Sequence, residues 1–301
     1  MKMFKRFLNL LLIVAVFAAV LFITQTGAAA EAAYWETDAT GAYLLESYED
    51  LKTAIKMSNK NTVFRLNNDI YQNDTDNDNM LVIDGYNWFI LDLNGYSLTR
   101  ETYSMDNSLF HVKSGALRIF DSSKGRTGSC TYYNKTQRGP NSVIQNSGGD
   151  MYILGGNYYI KTLSDAETSC TLYLSGGYTG IDGGTFNALG ARGGFSLWVS
   201  HGSEYKDPPF CLITGGTFYG KNSGIYVCAK GNYTSKGVRF PTVYVIDAEF
   251  YLTTNNPKDN GSVYISNKWG HVYLAGGFFP AASLNDCAKY LDLSICYTVL
   301  L

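Results

Sequence analysis

The sequence predicts an all-β chain wound as a single-stranded parallel β-helix, and three observations lead there. A short phrase recurs five times between residues 150 and 280: Ile153-Leu-Gly-Gly-Asn-Tyr158, Ile181-Asp-Gly-Gly-Thr-Phe186, Ile213-Thr-Gly-Gly-Thr-Phe218, Val245-Ile-Asp-Ala-Glu-Phe250 and Leu274-Ala-Gly-Gly-Phe-Phe279. By subtraction its aromatics lie 28, 32, 32 and 29 residues apart, a period that marks a stacked solenoid. Each phrase is preceded by a short alternating segment: Ser142-Val-Ile-Gln-Asn, Thr171-Leu-Tyr-Leu-Ser, Ser196-Leu-Trp-Val-Ser, Gly224-Ile-Tyr-Val-Cys and Ser262-Val-Tyr-Ile-Ser. A period of two with aliphatics on one side is a half-buried strand.

A strand, a corner, a second strand and a glycine corner then describe one rung. Gly-Gly supplies the positive φ that a tight corner needs. Helical periodicity is absent here, which excludes a helical solenoid. A β-sandwich also shows short strands with turn signals, but its strands do not repeat one phrase at one period.

The 301 residues include 31 Gly, 24 Tyr and 6 Pro, with 17% charged. This suits one sizeable core built of strands and corners. Residues 1–30 read as an export signal. Lys2, Lys5 and Arg6 open it, Phe7 to Ile23 form a 17-residue apolar run, and Ala28-Ala29-Ala30 offers a cleavage site. A membrane anchor is the rival, at the short limit for a span. Cleavage would leave 21 basic against 26 acidic residues, a net −5. An acidic domain argues against a nucleic-acid partner, and no second run of spanning length implies a membrane after cleavage.

Residues 31–301 read as one domain. Ser47 opens a helix over 47–59, with Glu49 and Asp50 in its first turn and Leu51, Ala54 and Ile55 on one face. A solenoid exposes its core at each end, and this helix is placed to cover the first. Rungs occupy 62–279, with degenerate copies of the phrase at Trp88–Leu98 and Leu109–Phe120 and a turn at Asp121–Gly125. Residues 280–301 form the second cap.

The capping helix, the LDLNGYSL stretch (91–98), the LRIFDSSKGRTG stretch (117–128) and the serial Gly-Gly-x-aromatic corners resemble exported right-handed parallel β-helix proteins of the pectate-lyase-like superfamily. In particular they are similar to adhesin-like surface proteins of bacteria and archaea. The resemblance implies a right-handed winding and covers residues 40–301. It leaves activity open, since the superfamily holds lyases, hydrolases and non-catalytic adhesins. The paired aspartates, Gly-His-Gly and Arg-Ile-Lys of its polygalacturonases are absent, and Leu117-Arg118-Ile119 matches the last only in part.

One column of rings and two long connections are the candidates for function. Tyr173, Trp198, Tyr226 and Tyr264 occupy the middle of successive strands and would point outward as a column. Stacked rings with polar tips suit sugars, although strand propensity alone also enriches aromatics. Two long connections, 201–209 and 229–241, leave one corner of neighbouring rungs. They carry His201, Glu204, Tyr205, Lys206, Asp207, Lys230, Tyr233, Lys236, Arg239 and Phe240. Solvation alone explains charge on such loops, whereas insertions on one face of a solenoid are also where ligands bind.

The expected partner is a polysaccharide or a cell-surface glycan, held by Tyr173, Trp198, Tyr226, Tyr264, Tyr205 and Tyr233, with Lys230, Lys236 and Arg239 favouring acidic sugars. The alternative is a lyase or hydrolase on an acidic polysaccharide, with Lys206, Lys230, Lys236 or Arg239 as base. Asp74, Asp76 and Asp78 alternate like the start of a calcium loop, but Asn79 and Gly85 stand where glycine and glutamate belong; the stretch reads as a solvated loop, and no cofactor is expected. Of the six cysteines, Cys287 and Cys296 are the pair expected to bridge. Cys130, Cys170, Cys211 and Cys228 read as free thiols, and no zinc spacing occurs.

Overall fold

The computed structural model describes residues 36–74, 79–103, 108–135, 141–162, 169–190, 194–201, 207–229, 240–252, 263–265, 270–279 and 291–292. The chain divides into Met1–Tyr34 and Trp35–Leu301, and the fold is that of the second unit. The export segment, the second cap apart from 291–292, and Cys287 and Cys296 lie outside the described residues. No described helix is long and apolar enough to cross a membrane.

The fold is a right-handed parallel β-helix, and each rung carries three strands. The first face stacks Tyr43–Leu45, Val63–Leu66, Trp88–Asp92, Ala116–Phe120, residues 150–153 and 178–181, Phe210–Ile213, Thr242–Val245, His271–Leu274 and Leu291–Asp292. The second stacks Ile70–Asp74, Ser97–Thr102, Ser129–Asn134, residues 157–162 and 185–187, Thr217–Gly220 and Glu249–Leu252. The third stacks Leu81–Ile83, Ser108–Val112, residues 142–146 and 170–174, Phe195–His201, Ser223–Ala229 and Val263–Ile265. Every one of these pairings is parallel.

The two-strand rung expected from the sequence is thus corrected to three. The Gly-Gly corner does not close the rung but turns the chain into a further strand. In the later rungs that strand is only four residues long, Thr217–Gly220 and Glu249–Leu252, and holds a single phrase aromatic, too short for its alternation to register. The corner itself behaves as anticipated. Gly184 and Gly216 adopt φ of 108° and 112°, and a Cβ on Gly216 would meet the Gly184 carbonyl oxygen at 3.1 Å.

Parallel stacking places equivalent residues side by side, so the phrase aromatics become a column inside the solenoid. Ile70, Leu98, Cys130, Tyr158, Phe186, Phe218 and Phe250 are successive register partners. The rings stack from Tyr158 to Phe186 at 5.0 Å, then to Phe218 at 4.6 Å, to Phe250 at 4.8 Å and to Phe279 at 4.8 Å. Removing these rings from water is a large share of the hydrophobic drive. Cys130 sits in the column as a small buried residue, and the chain reaches its strand through the long corner 121–128. There the Asp121 carboxylate accepts from the Gly95, Ser123 and Gly128 amides at 2.9, 3.1 and 2.7 Å.

On the third face Val143, Leu172, Leu174, Leu197, Val199, Ile225, Val227, Val263 and Ile265 are all buried. Leu172, Leu197, Ile225 and Val263 stack in register. The helix runs Tyr48–Met57. Ser47 and Asp50 form a reciprocal capping box, with Ser47 Oγ accepting from the Asp50 amide at 3.1 Å and Asp50 Oδ2 from the Ser47 amide at 2.9 Å. Tyr48, Leu51, Ala54 and Ile55 are buried, packing over the first rungs as a cap.

Candidate binding faces

The aromatic column expected on the third face exists in register: Tyr173 pairs with Trp198, Trp198 with Tyr226, and Tyr226 with Tyr264. Its expected openness does not hold at the centre. Trp198 retains only 7% of its accessible surface, within a cluster with Phe195 and Cys170. Tyr173 and Tyr226 pack half-buried against it. The Phe195 ring stacks on Tyr226 at 4.7 Å, and Trp198 is tilted 55° to Tyr173 and 66° to Tyr226. Neighbouring rings occupy the indole that was expected to meet a sugar. The indole Nε1 is buried without an acceptor. The Tyr173 hydroxyl hydrogen-bonds Ser200, and burial pushes its pKa up. The side chain of Tyr264 is outside the described residues.

Of the two long connections only the ends are described. Glu204, Tyr205 and Lys206 of the first, and Lys230, Tyr233, Lys236 and Arg239 of the second, lie outside the described residues, as do Asp76 and Asp78 of the acidic stretch. His201 is buried at the end of its strand. Asp74 is no open ligand: its side chain is buried and accepts from Arg100 Nε at 2.6 Å, Gln72 Nε2 at 2.5 Å and Asn79 Nδ2 at 2.8 Å. Among the described residues no three His, Cys, Asp or Glu side chains form a metal-binding group.

The first face, which the repeated phrase does not single out, carries a longer aromatic band on its outward side. Two rows run along it. Asp150, Tyr178, Phe210, Thr242 and His271 are successive register partners. Beside them run Arg118, Tyr152, Gly180, Leu212, Tyr244 and Tyr273. Tyr152, Tyr178, Phe210, Tyr244, His271 and Tyr273 are all half-buried, with the inward residues Met151, Thr179, Cys211, Val243 and Val272 between them buried. The signal was legible in the alternation of Thr242-Val-Tyr-Val and His271-Val-Tyr-Leu. It escaped because the repeated phrase begins at the last residue of each of these strands.

The band adjoins both long connections. The first rejoins the solenoid through Asp207 to Phe210, and the second through Phe240 to Thr242. The Phe240 ring lies 5.1 Å from His271, and the Tyr273 hydroxyl is 3.5 Å from His271 Nδ1.

Ring geometry decides what such a band can offer. Tyr178 and Phe210 are nearly parallel at 5.8 Å and 12°, as are Tyr244 and Tyr273 at 4.5 Å and 10°. The faces within those pairs are spent on each other, leaving edges and hydroxyls toward solvent. Tyr152 is tilted 47° to Tyr178 and so presents its face differently. Burial pushes the Tyr152 and Tyr178 hydroxyls up, with the Asp150 carboxylate adding to both. A phenol is protonated at neutral pH without any such shift, so both hydroxyls can donate there. Burial also pushes Asp150 up and Arg118 down. In comparisons with known proteins the chain matches no family model, no curated protein and no solved structure.

Proposed function

We propose that this chain is an exported, adhesin-like β-helix that binds a glycan, or a surface bearing one, without transforming it. The observation that carries the reading is the half-buried aromatic band on the first face, beside the points where the two long connections from the third face return. A rigid row of phenol hydroxyls and ring edges hydrogen-bonds sugar hydroxyls while covering their C–H surfaces. The basic start and apolar run of residues 1–30 support export. Lys230, Lys236 and Arg239, in the longer connection, would bias such a surface toward carboxylated or sulfated glycans.

The test is a glycan array probed with the exported chain, followed by titration of any hit against Tyr244→Ala and Tyr273→Ala. Loss of several-fold in affinity in folded variants supports the reading. Array silence, or full affinity in both variants, removes it. Bound glycan is then examined for new reducing ends and for absorbance of an unsaturated product; either would reassign the protein as a hydrolase or a lyase.

A further inference from the structure

The second face carries a different surface on its N-terminal rungs, and it shares no residue with the first-face band. Its outward row runs Tyr71, Thr99, Thr131 and Tyr159 in direct register. The neighbouring outward row pairs Asn73, Glu101, Tyr133 and Lys161. With rungs about 4.8 Å apart, the two threonines make a floor, and Tyr71 and Tyr159 stand at its ends roughly 14 Å apart along the axis.

One side of this floor is held rigid. The Glu101 carboxylate forms an ion pair with Lys135, and these side chains keep only 13% and 26% exposure. The Lys135 ammonium also lies 5.3 Å from the Tyr103 ring centre and 5.5 Å from that of Tyr133. Tyr71 donates its hydroxyl to Glu101. By contrast Tyr71 and Tyr103 are 59% and 52% exposed, and no ring pairing within the described residues covers them.

Exposed ring surface on Tyr71 and on the side of Tyr103 away from Lys135, hydroxyls on the floor and a fixed acceptor–donor pair at the side are what a pyranose needs: C–H surface to stack on and partners for its hydroxyls. The charges facing the floor, Glu101 and Lys135, cancel in their pair, and Lys161 is exposed at the margin. This charge pattern suits a neutral ligand. We infer that the outward surface formed by Tyr71, Thr99, Glu101, Tyr103, Thr131 and Tyr159 is a second sugar site, taking a neutral unit about the length of a disaccharide.

The experiment follows tyrosine ring resonances of the exported chain by NMR while cellobiose, lactose and maltose are added separately. Expected is saturable movement of the Tyr71 and Tyr103 rings with at least one sugar, at a Kd on the order of 1 mM. Tyr103→Ala and Glu101→Gln should each weaken it about fivefold or more, roughly 1 kcal/mol, while Tyr244→Ala on the first face leaves it unchanged. Glu101→Gln preserves size and serves if a ring deletion disturbs the strand. Absence of any movement with all three sugars overturns the inference, as does unchanged affinity in folded Tyr103→Ala and Glu101→Gln. Loss in Tyr244→Ala alone would credit the first face instead. Array binding that disappears only in first-face variants tests the other reading separately.

Discussion

Arg100 Nε donates to Asp74 Oδ2 at 2.6 Å, and neither side chain keeps any solvent exposure. Arg100 points into the solenoid from the second face, between Leu98 and Thr102. Its Nη1 donates to the Ser108 carbonyl at 2.6 Å, and its guanidinium lies 5.8 Å from the Tyr132 ring centre. Asn134 donates to Asn141 at 2.6 Å one rung further on. The corner between second and third faces therefore carries a buried polar seam.

A buried pair is costly to halve, because the remaining charge loses its partner but not its burial. Asp74→Asn or Arg100→Met should each destabilise the fold by about 3–5 kcal/mol, read from urea melts. The double variant should cost less than the sum of the singles. An additive pair of small effects would show that the seam admits water freely.

The interior ring stack should dominate the C-terminal rungs. Phe218 has a ring on each side, Phe186 at 4.6 Å and Phe250 at 4.8 Å. Phe218→Ala should cost about 3–5 kcal/mol and Phe218→Leu under about 2 kcal/mol. Equal costs would mean that volume and stacking matter less than the register implies.

Gly216→Ala should be destabilising by about 1–3 kcal/mol. The substitution puts a side chain on a residue at φ 112° and 3.1 Å from the Gly184 carbonyl oxygen. Thermal unfolding of the variant within error of the parent would contradict the corner geometry.

Cys130, Cys170 and Cys211 are buried free thiols, and desolvation pushes each of them up. The thiolate is the reactive form, so a disulfide dye should label none of the three in the folded protein and all three in denaturant. Labelling at native rates near those of free cysteine would place them at the surface.

Asp150 offers a pH-dependent test. Burial raises its pKa above the ordinary value, so the ionised carboxylate opposes folding. Its penalty is absent below the unfolded carboxylate pKa and complete above the raised folded one. Asp150→Asn should therefore raise the melting temperature modestly at neutral pH and leave it unchanged below about pH 3.5. An equal shift at both pH values would point to packing instead of charge.

The amino-acid order by itself determined the solenoid, the third-face register from Leu172 to Val263 and the N-terminal helix. A parallel stack repeats one environment at every rung, so inward aliphatics, corner glycines and the phrase aromatic must recur at one spacing, and recurrence survives in a linear string. Leu172, Leu197, Ile225 and Val263 were aligned correctly for that reason, and Ser47 with Asp50 announced the helix start. Tertiary structure alone decided the third strand of each rung, the role of Cys130 in the aromatic column, the burial of Trp198 and the pairing of Arg100 with Asp74. These depend on how corners of unequal length carry the chain and on which rings lean over their neighbours. Alternation specifies that Trp198 leaves the main core. Whether it meets solvent or the Phe195 and Tyr226 rings is set by packing between rungs, which no single strand encodes.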